Sequence, residues 1–262
     1  YGAVGSAANH GWEFLPIYLG PMLVFIFGWP VLSKFNAVVK THRIGSLADF
    51  MSARYGRSQP LAVLTTLIAL LGTIPYIALQ LKAVGQTFNI MAGAPTATGP
   101  TIFDTAFFAA LFLTVFAILF GTRLPGQRRD RNRGMMIAIA FESVVKLVAF
   151  VLVGFFCTFE LYDGFENLFT LAKQDPQVAT VFSTNFSQWG LITQLILASL
   201  AIICLPRQFH VTFVESPDEV TYRNNARWFF PLYLLGFVIF VIPIAAAGLL
   251  KFGGLAPPDA FV

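Results

Sequence analysis

The sequence predicts an all-α fold, a polytopic membrane helix bundle of about six transmembrane helices, and three observations lead there. Asp, Glu, Lys and Arg make up 11% of the 262 residues while the apolar set reaches 56%, whereas a water-soluble domain carries about a quarter charged residues. Phenylalanine alone contributes 29 residues, more than a water-facing surface holds without large exposed apolar patches. The apolar residues are also gathered into stretches of roughly twenty, the length that crosses a hydrocarbon core about 30 Å thick.

Six such stretches follow a short initial stub, at about Phe14 to Leu32, Leu61 to Ile90, Thr101 to Gly121, Gly134 to Phe159, Ser187 to Glu215 and Trp228 to Leu250. Charge alternates between them. Lys34, Lys40, Arg43, Arg54 and Arg57 occupy the first connector, Arg123, Arg128, Arg129, Arg131 and Arg133 the third, and Arg207, Arg223 and Arg227 fall in or around the fifth. The second connector, "MAGAPTATGP", is uncharged, and the fourth, Glu160 to Phe186, sets Glu160, Asp163, Glu166 and Asp175 against Lys173 alone. Thirteen of the 17 basic residues therefore lie on one side, which the positive-inside rule assigns to the cytoplasm. That segregation accounts for the formal charge of +4. Nucleic acid, whose binders present a basic patch interleaved with exposed aromatics, is not an expected partner; the lipid bilayer is. In the outer connector, Tyr162, Phe165 and Phe169 have the spacing of a short interfacial helix, although a plain loop accommodates them equally.

Chemistry-bearing side chains are sparse. Cys157 and Cys204 sit inside apolar runs without His or Cys neighbours and read as small hydrophobes. His10, His42 and His210 lie far apart without metal spacing, and neither a nucleophile elbow nor a paired catalytic carboxylate occurs, so this chain is expected to be no enzyme and to hold no cofactor or metal. The chain begins at Tyr1 without a charged region ahead of a short apolar core, and is expected to be a piece of something longer.

Polar groups inside the apolar stretches are the informative ones. Glu142 and Lys146 lie four residues apart in "MMIAIAFESVVKLVAF", on one helix face, with the acid on the favoured N-terminal side. Either charge alone at mid-bilayer costs at least about 2.5 kcal/mol, so the two form a structural pair or mark a cation or proton path. Lys82 either snorkels to the outer interface or joins Gln80 and Gln86 in a vestibule. Gly72 and Pro75 predict a kink in the second span. In "LASLAIICLPRQFHVTFVES", Pro206 interrupts an apolar run and is followed at once by Arg207, Gln208 and His210. Either the helix leaves the membrane at Leu205, or it is broken there and its freed backbone groups line a cavity, as broken helices do in transporters.

That stretch, taken with "GSLADFMSARYGRSQPLAVLTTLIALLGTIPYIALQLKAVG", resembles the sodium:solute symporter family. Asp49, Phe50, Arg54 and Tyr55 match its cytoplasmic connector, and "RQFHVTFVE" is similar to its Gln-x-His pattern in the broken helix of the second repeat. The nearest likeness within it is to the transporter-like N-terminal sensory region of bacterial membrane sensor histidine kinases, carried by "GWEFLPIYLGPMLVFIFGWP", "RGMMIAIAFESVVKLVAF" and "LPRQFHVTFVESPDEVTYRNNARWFFPLYLL". The resemblance covers nearly the whole chain. It implies a partial inverted-repeat, amino-acid/sodium transporter-like fold, a single transmembrane domain over residues 1–262, and a multi-pass location in the bacterial inner membrane.

For the site, the resemblance implies that Gln208 and His210 line the central substrate cavity and that Glu142 stands on the inner cation path, with Lys146 beside it tuning an inner gate. Arg207 has no general counterpart in the family; its charge at such a depth calls for a carboxylate partner in the solute or the protein. Two departures stand out. The first core helix is reduced to "YGAVGSAANHG", and the chain ends before the later helix that supplies most sodium ligands. A complete sodium site therefore cannot be assembled from this chain, and Na+ or H+ coupling belongs to the full-length protein. Two functions are expected from these features: transport of a small polar solute, such as an amino acid, by alternating access; or ligand sensing, with the signal passed to C-terminal kinase domains and a response regulator.

Overall fold

A helix closes its backbone hydrogen bonds within itself, which is why long apolar runs in this chain have one conformation open to them in lipid. The computed structural model, which describes residues 2–91, 105–121, 130–183, 187–216 and 219–253, is all-α, with no strand among the described residues. In chain order come α1 (Gly2–His10), a 3-10 turn (Gly11–Phe14), α2 (Leu15–Phe27), α3 (Trp29–Thr41), α4 (Leu47–Arg54), α5 (Gln59–Met91), α6 (Thr105–Gly121) and α7 (Asp130–Phe155). A π turn (Phe156–Glu160) leads to α8 (Phe165–Gln174), α9 (Pro176–Ser183), α10 (Gln188–Cys204) and α11 (Pro206–Phe209), and a second π turn (His210–Val214) precedes α12 (Glu219–Phe252).

Among the described residues four helical stretches are long and apolar enough to span a bilayer: Gly2–Phe27, Gln59–Phe88, Ile139–Glu160 and Asn225–Phe252. A fifth is reached when α9 and α10, bent by 70° from one another, are taken together. One expected span comes out shorter than the sequence suggested: the 17-residue α10 stops at Cys204 because Pro206 follows. α6 is described over Thr105–Gly121, with Thr101 to Asp104 outside the described residues. The second connector beyond Met91 and the Arg123, Arg128 and Arg129 of the third also lie outside the described residues.

The first expected span, Phe14 to Leu32, is not one helix. It ends at Phe27, and Gly28, at φ −79° and ψ 7°, turns the chain into α3, which opens on Trp29 and Pro30. A proline in the first turn costs no hydrogen bond, so Pro30 suits a helix start better than a helix interior. The short initial stub is itself helical. Val4 and Ala7 of α1 are fully buried, and the 3-10 turn joins α1 to α2. In the outer connector the open choice between loop and helix resolves into two helices, α8 and α9. α5 continues through Pro75.

The contacts divide the described chain into two units. Residues 66–143 hold most of α5, all of α6 and the first half of α7, with Phe107 and Phe108 meeting edge to face in α6. The other unit, residues 1–65 and 144–262, has three apolar clusters. One sets Val4, Ala7 and Ala8 of α1 and Phe14 against Val241, Ile242, Ile244 and Ala245 of α12. Another packs Leu168, Ala172 and Val178 of α8 and α9 on Ala246 and Ala247 of α12. The third gathers Phe25, Trp29, Leu32, Val39 and Ile44 around Ile202, Phe209 and Phe213.

Small side chains permit these approaches, since helices in lipid gain from close packing rather than from a difference in hydrophobicity. Gly154 receives the ring of Phe240, and Gly236 the side chain of Leu147. Outside the spans, Tyr162 donates its phenol to the Ala247 carbonyl at 3.3 Å, which ties the outer connector to α12. Burial, then the neighbouring Cys157, pushes that phenol above its ordinary range, so it stays a donor at neutral pH.

α2 also crosses close on α10. A Cβ built on Gly20 would stand 2.8 Å from the Ala198 Cβ and 2.9 Å from the Leu195 carbonyl oxygen. Gly20→Val in the full-length protein is expected to cost about 1–3 kcal/mol, the usual range for overpacking, seen as a lower melting temperature in detergent by fluorescence-detected size exclusion. Gly72→Ala, where nothing lies within 4 Å, should not lower it. Equal melting of Gly20→Val and the parent would mean that this crossing does not hold the unit together.

Candidate functional site

Pro206 has no N–H, so α10 cannot propagate through it. Leu205 adopts an extended conformation, φ −78° and ψ 128°, and at once serves as the residue before α11. Helix resumes when the Phe209 N–H bonds to the Leu205 carbonyl at 2.8 Å. The sequence left open whether the helix exits here or is broken; the chain is helical on both sides of the break.

The α register lasts for one turn, α11, and then widens to π over His210–Val214. The Glu215 N–H donates to the His210 carbonyl at 3.0 Å, five residues back. Single π turns of this kind gather at functional sites, and here the register has a direct consequence. It brings the Glu215 carboxylate to 3.2 Å from Nε2 of His210, a contact that α-helical spacing would have given to Val214. Reading the sequence for i+4 partners misses Glu215; the polar residue five after His210, behind a proline break, is the signal that was there.

The segment is two-faced. Phe209 and Phe213 are fully buried and Thr212 nearly so, while Arg207, Gln208 and His210 are exposed. All three residues expected to contact a solute therefore lie away from the core on the same short stretch. Behind them stands an aromatic block. Phe209 meets Phe50 of α4 at 5.6 Å between ring centroids, Phe213 meets Phe35 of α3 at 5.6 Å, and Phe35 stacks on Phe50 at 5.2 Å. Aromatic pairs at such spacing add about 0.5–1.5 kcal/mol each beyond area burial, so the block is a firm backing.

Beyond the π turn a polar lock ties the segment to α3. The Ser216 hydroxyl donates to Oδ1 of Asn36 at 2.9 Å. The Lys40 ammonium donates to the Ser216 carbonyl. Asn36 is 3% and Ser216 6% exposed, so each hydroxyl or amide group left without a partner there would carry its full desolvation penalty. Neither residue was singled out in the sequence, where a lone Asn and Ser carry no pattern.

The 17 residues of α10 rise about 25 Å at about 1.5 Å each, a little short of a hydrocarbon core of about 30 Å. Glu142 and Lys146 lie one turn apart on α7 and are both exposed; Glu142 belongs to the unit of residues 66–143 and Lys146 to the other. Among the described residues no cluster of three His, Cys, Asp or Glu side chains has the arrangement of a metal site.

No family model matches the chain, and no solved structure does. Two curated relatives do, both from Bacillus subtilis (strain 168). The uncharacterized symporter YhjB is 24% identical over 260 residues, covering 98% of this chain and 49% of the relative. The uncharacterized symporter YodF is 25% identical over 231 residues, covering 84% of this chain and 43% of the relative. The chain thus spans about half the length of the relatives it matches, and both carry a transporter's name.

Ser216→Ala is expected to lower stability by about 1–3 kcal/mol, because the buried Oδ1 of Asn36 loses its donor. Ser33→Ala, whose exposed hydroxyl bonds only to the Pro30 carbonyl, should stay within about 0.5 kcal/mol of the parent. Thermal melts of the two variants in the same detergent decide it; parity between them would remove the lock.

Proposed function

We propose that this chain is part of a solute transporter in which Arg207, Gln208 and His210 contact a small polar solute, such as an amino acid, during alternating access. The observation that carries the reading is the helix break at Leu205 followed by a polar face backed by buried aromatics. Side chains of this polarity within an apolar stretch are costly unless they meet a polar partner or water, and transporters build solute sites from interrupted helices for this reason. Two relatives named symporters support a membrane transport role, and the all-α bundle agrees with it.

In this reading each residue has a task. Gln208 offers both a donor and an acceptor to the solute. Arg207 meets its carboxylate. His210, held by Glu215, presents its other ring nitrogen. Glu142 and Lys146 lie on the inner path, where a charge pair one turn apart on a helix can open to admit a cation or close behind it. Coupling to Na+ or H+ belongs to the full-length protein, whose further length supplies the remaining walls. The sensory alternative, with kinase domains following this chain, draws on the sequence likeness alone, so transport is the preferred function.

The test is initial-rate uptake of labelled amino acids by the full-length protein in proteoliposomes, under an imposed Na+ or H+ gradient. Gln208→Ala combined with His210→Ala is expected to lower uptake at least tenfold at equal incorporation, and Arg207→Gln to raise KM more for carboxylate-bearing solutes than for their amides. Unchanged uptake in the double variant would sink the site assignment. No uptake of any solute, together with kinase activity in the same chain, would replace transport by sensing.

A further inference from the structure

Apart from the broken helix, on the face that the charge asymmetry assigns to the outside, the chain forms a half-open pocket of about 300 Å³. Four elements build it. Trp12 comes from the 3-10 turn, Phe169 and Lys173 from α8, Phe182 from α9 and Ile242 from α12. A volume of this order lies at the lower end of the range of small-molecule sites and holds an organic molecule of about a dozen non-hydrogen atoms, taking liquid water at about 30 Å³ per molecule as the yardstick.

We propose that this pocket binds a small amphipathic monocarboxylate, its apolar body among the aromatic rings and its carboxylate on Lys173. The lining is almost wholly apolar, and the hydroxyl of its Ser183 is already donated to the Thr180 carbonyl at 3.2 Å. A sugar or a zwitterion would lose its hydration there without replacement. Lys173 is the exception. It is exposed and has no ion pair or hydrogen bond among the described residues.

The neighbouring acid explains why Lys173 stands alone. Asp175 lies two residues on, but its Oδ1 accepts from the Gln177 and Val178 N–H groups at 2.9 and 3.2 Å and so caps α9. It is committed to the helix start, where a carboxylate is worth most. A lysine that lines an apolar cavity and has no ion pair among the described residues can swing its ammonium to an anion that carries an apolar body. One ammonium balances one negative charge, which favours a monocarboxylate over a phosphate dianion. Because α8 lies outside every spanning stretch and its Lys173 is exposed, the ligand arrives from solution rather than from the bilayer.

Clamping of α9 shapes the pocket. Gly11, at φ +59°, passes so close to the Val181 carbonyl that any Cβ would collide with it, which holds the turn carrying Trp12 directly under α9. The pocket shares no residue with the polar face of α11.

Isothermal titration of 4-phenylbutanoate into the full-length protein in lipid nanodiscs tests the proposal. Saturable binding is expected, weakened at least fivefold by Lys173→Gln, retained by Lys173→Arg and abolished by Ala179→Trp, which fills the pocket; 4-phenylbutylamine should not bind. Absence of saturable binding to the parent, binding of the amine at equal affinity, or indifference to Lys173→Gln would each overturn it. Loss of the heat in the Gln208→Ala and His210→Ala double variant, with Lys173→Gln unaffected, would assign the ligand to the broken helix instead and overturn the pocket while leaving the transport reading intact.

Discussion

Because Pro206 has no N–H, the carbonyl of Ile202 four residues back loses its helical partner in a stretch where water is scarce. The chain contains that loss within one residue. The Leu205 N–H still bonds to the Ala201 carbonyl at 3.0 Å, and the Leu205 carbonyl then accepts from Phe209. The same economy appears at Gly28, whose N–H bonds back to Val24 at 2.9 Å while its carbonyl accepts from Leu32 at 3.1 Å. It recurs at the π turn after α7, where Leu161 donates to Phe156 at 3.2 Å. At Gly28 and Leu205 the departure is one residue long and helix resumes at once, whereas after Glu160 the turn over Leu161–Gly164 precedes α8. Where the breaks fall then decides which side chains face the core.

At Leu205 that decision is consequential. Restarting the helix at Pro206 sends Phe209 and Phe213 inwards, and leaves Arg207, Gln208 and His210 outwards. With an uninterrupted α10 the same residues would be rotated relative to the aromatic block of α3 and α4. The π turn adds a second adjustment, setting Glu215 against His210 and bringing Ser216 to Asn36. A proline, a π turn and two buried polar residues therefore act together: the first makes the polar face, the second pairs its histidine, and the third fixes the end of the segment to α3.

Much of this was legible in the sequence, and the reason is length. Runs of about twenty apolar residues leave few alternatives to a spanning helix, so the all-α bundle followed from composition. That helix stops ahead of Pro206 was legible too, since no tertiary contact can give Pro206 a donor, but whether it resumes beyond was left open. Boundaries that depend on packing were not. Gly28 reads as a tolerable glycine inside an apolar run, and only Trp29 and Pro30 hint at a new helix start. The role of α1 was hidden because Val4, Ala7 and Ala8 are too few to make a span and matter only once α12 lies against them. The His210 and Glu215 pair was hidden by register, and the outer pocket because its lining comes from residues more than two hundred positions apart. Lys173 stood out in the sequence as the lone basic residue of its connector, but the pocket it lines forms only when α8, α9 and α12 come together.

The aromatic block also determines how a solute at the broken helix would be felt elsewhere. Interiors packed at crystal-like density do not deform gradually, so a push on His210 or Gln208 cannot be absorbed by Phe209 and Phe213 where they stand. Both rings are fully buried and touch Phe50 and Phe35, which belong to the connector that carries Lys34, Lys40, Arg43 and Arg54. Movement of the polar face must either shift that connector or break the bond from Ser216 to Asn36. The second is the more costly, because it strands two buried polar groups. Were a solute to occupy the broken helix as proposed, the connector of α3 and α4 is therefore the element through which that occupancy would be passed on, whether the consequence is an opening path or a signal.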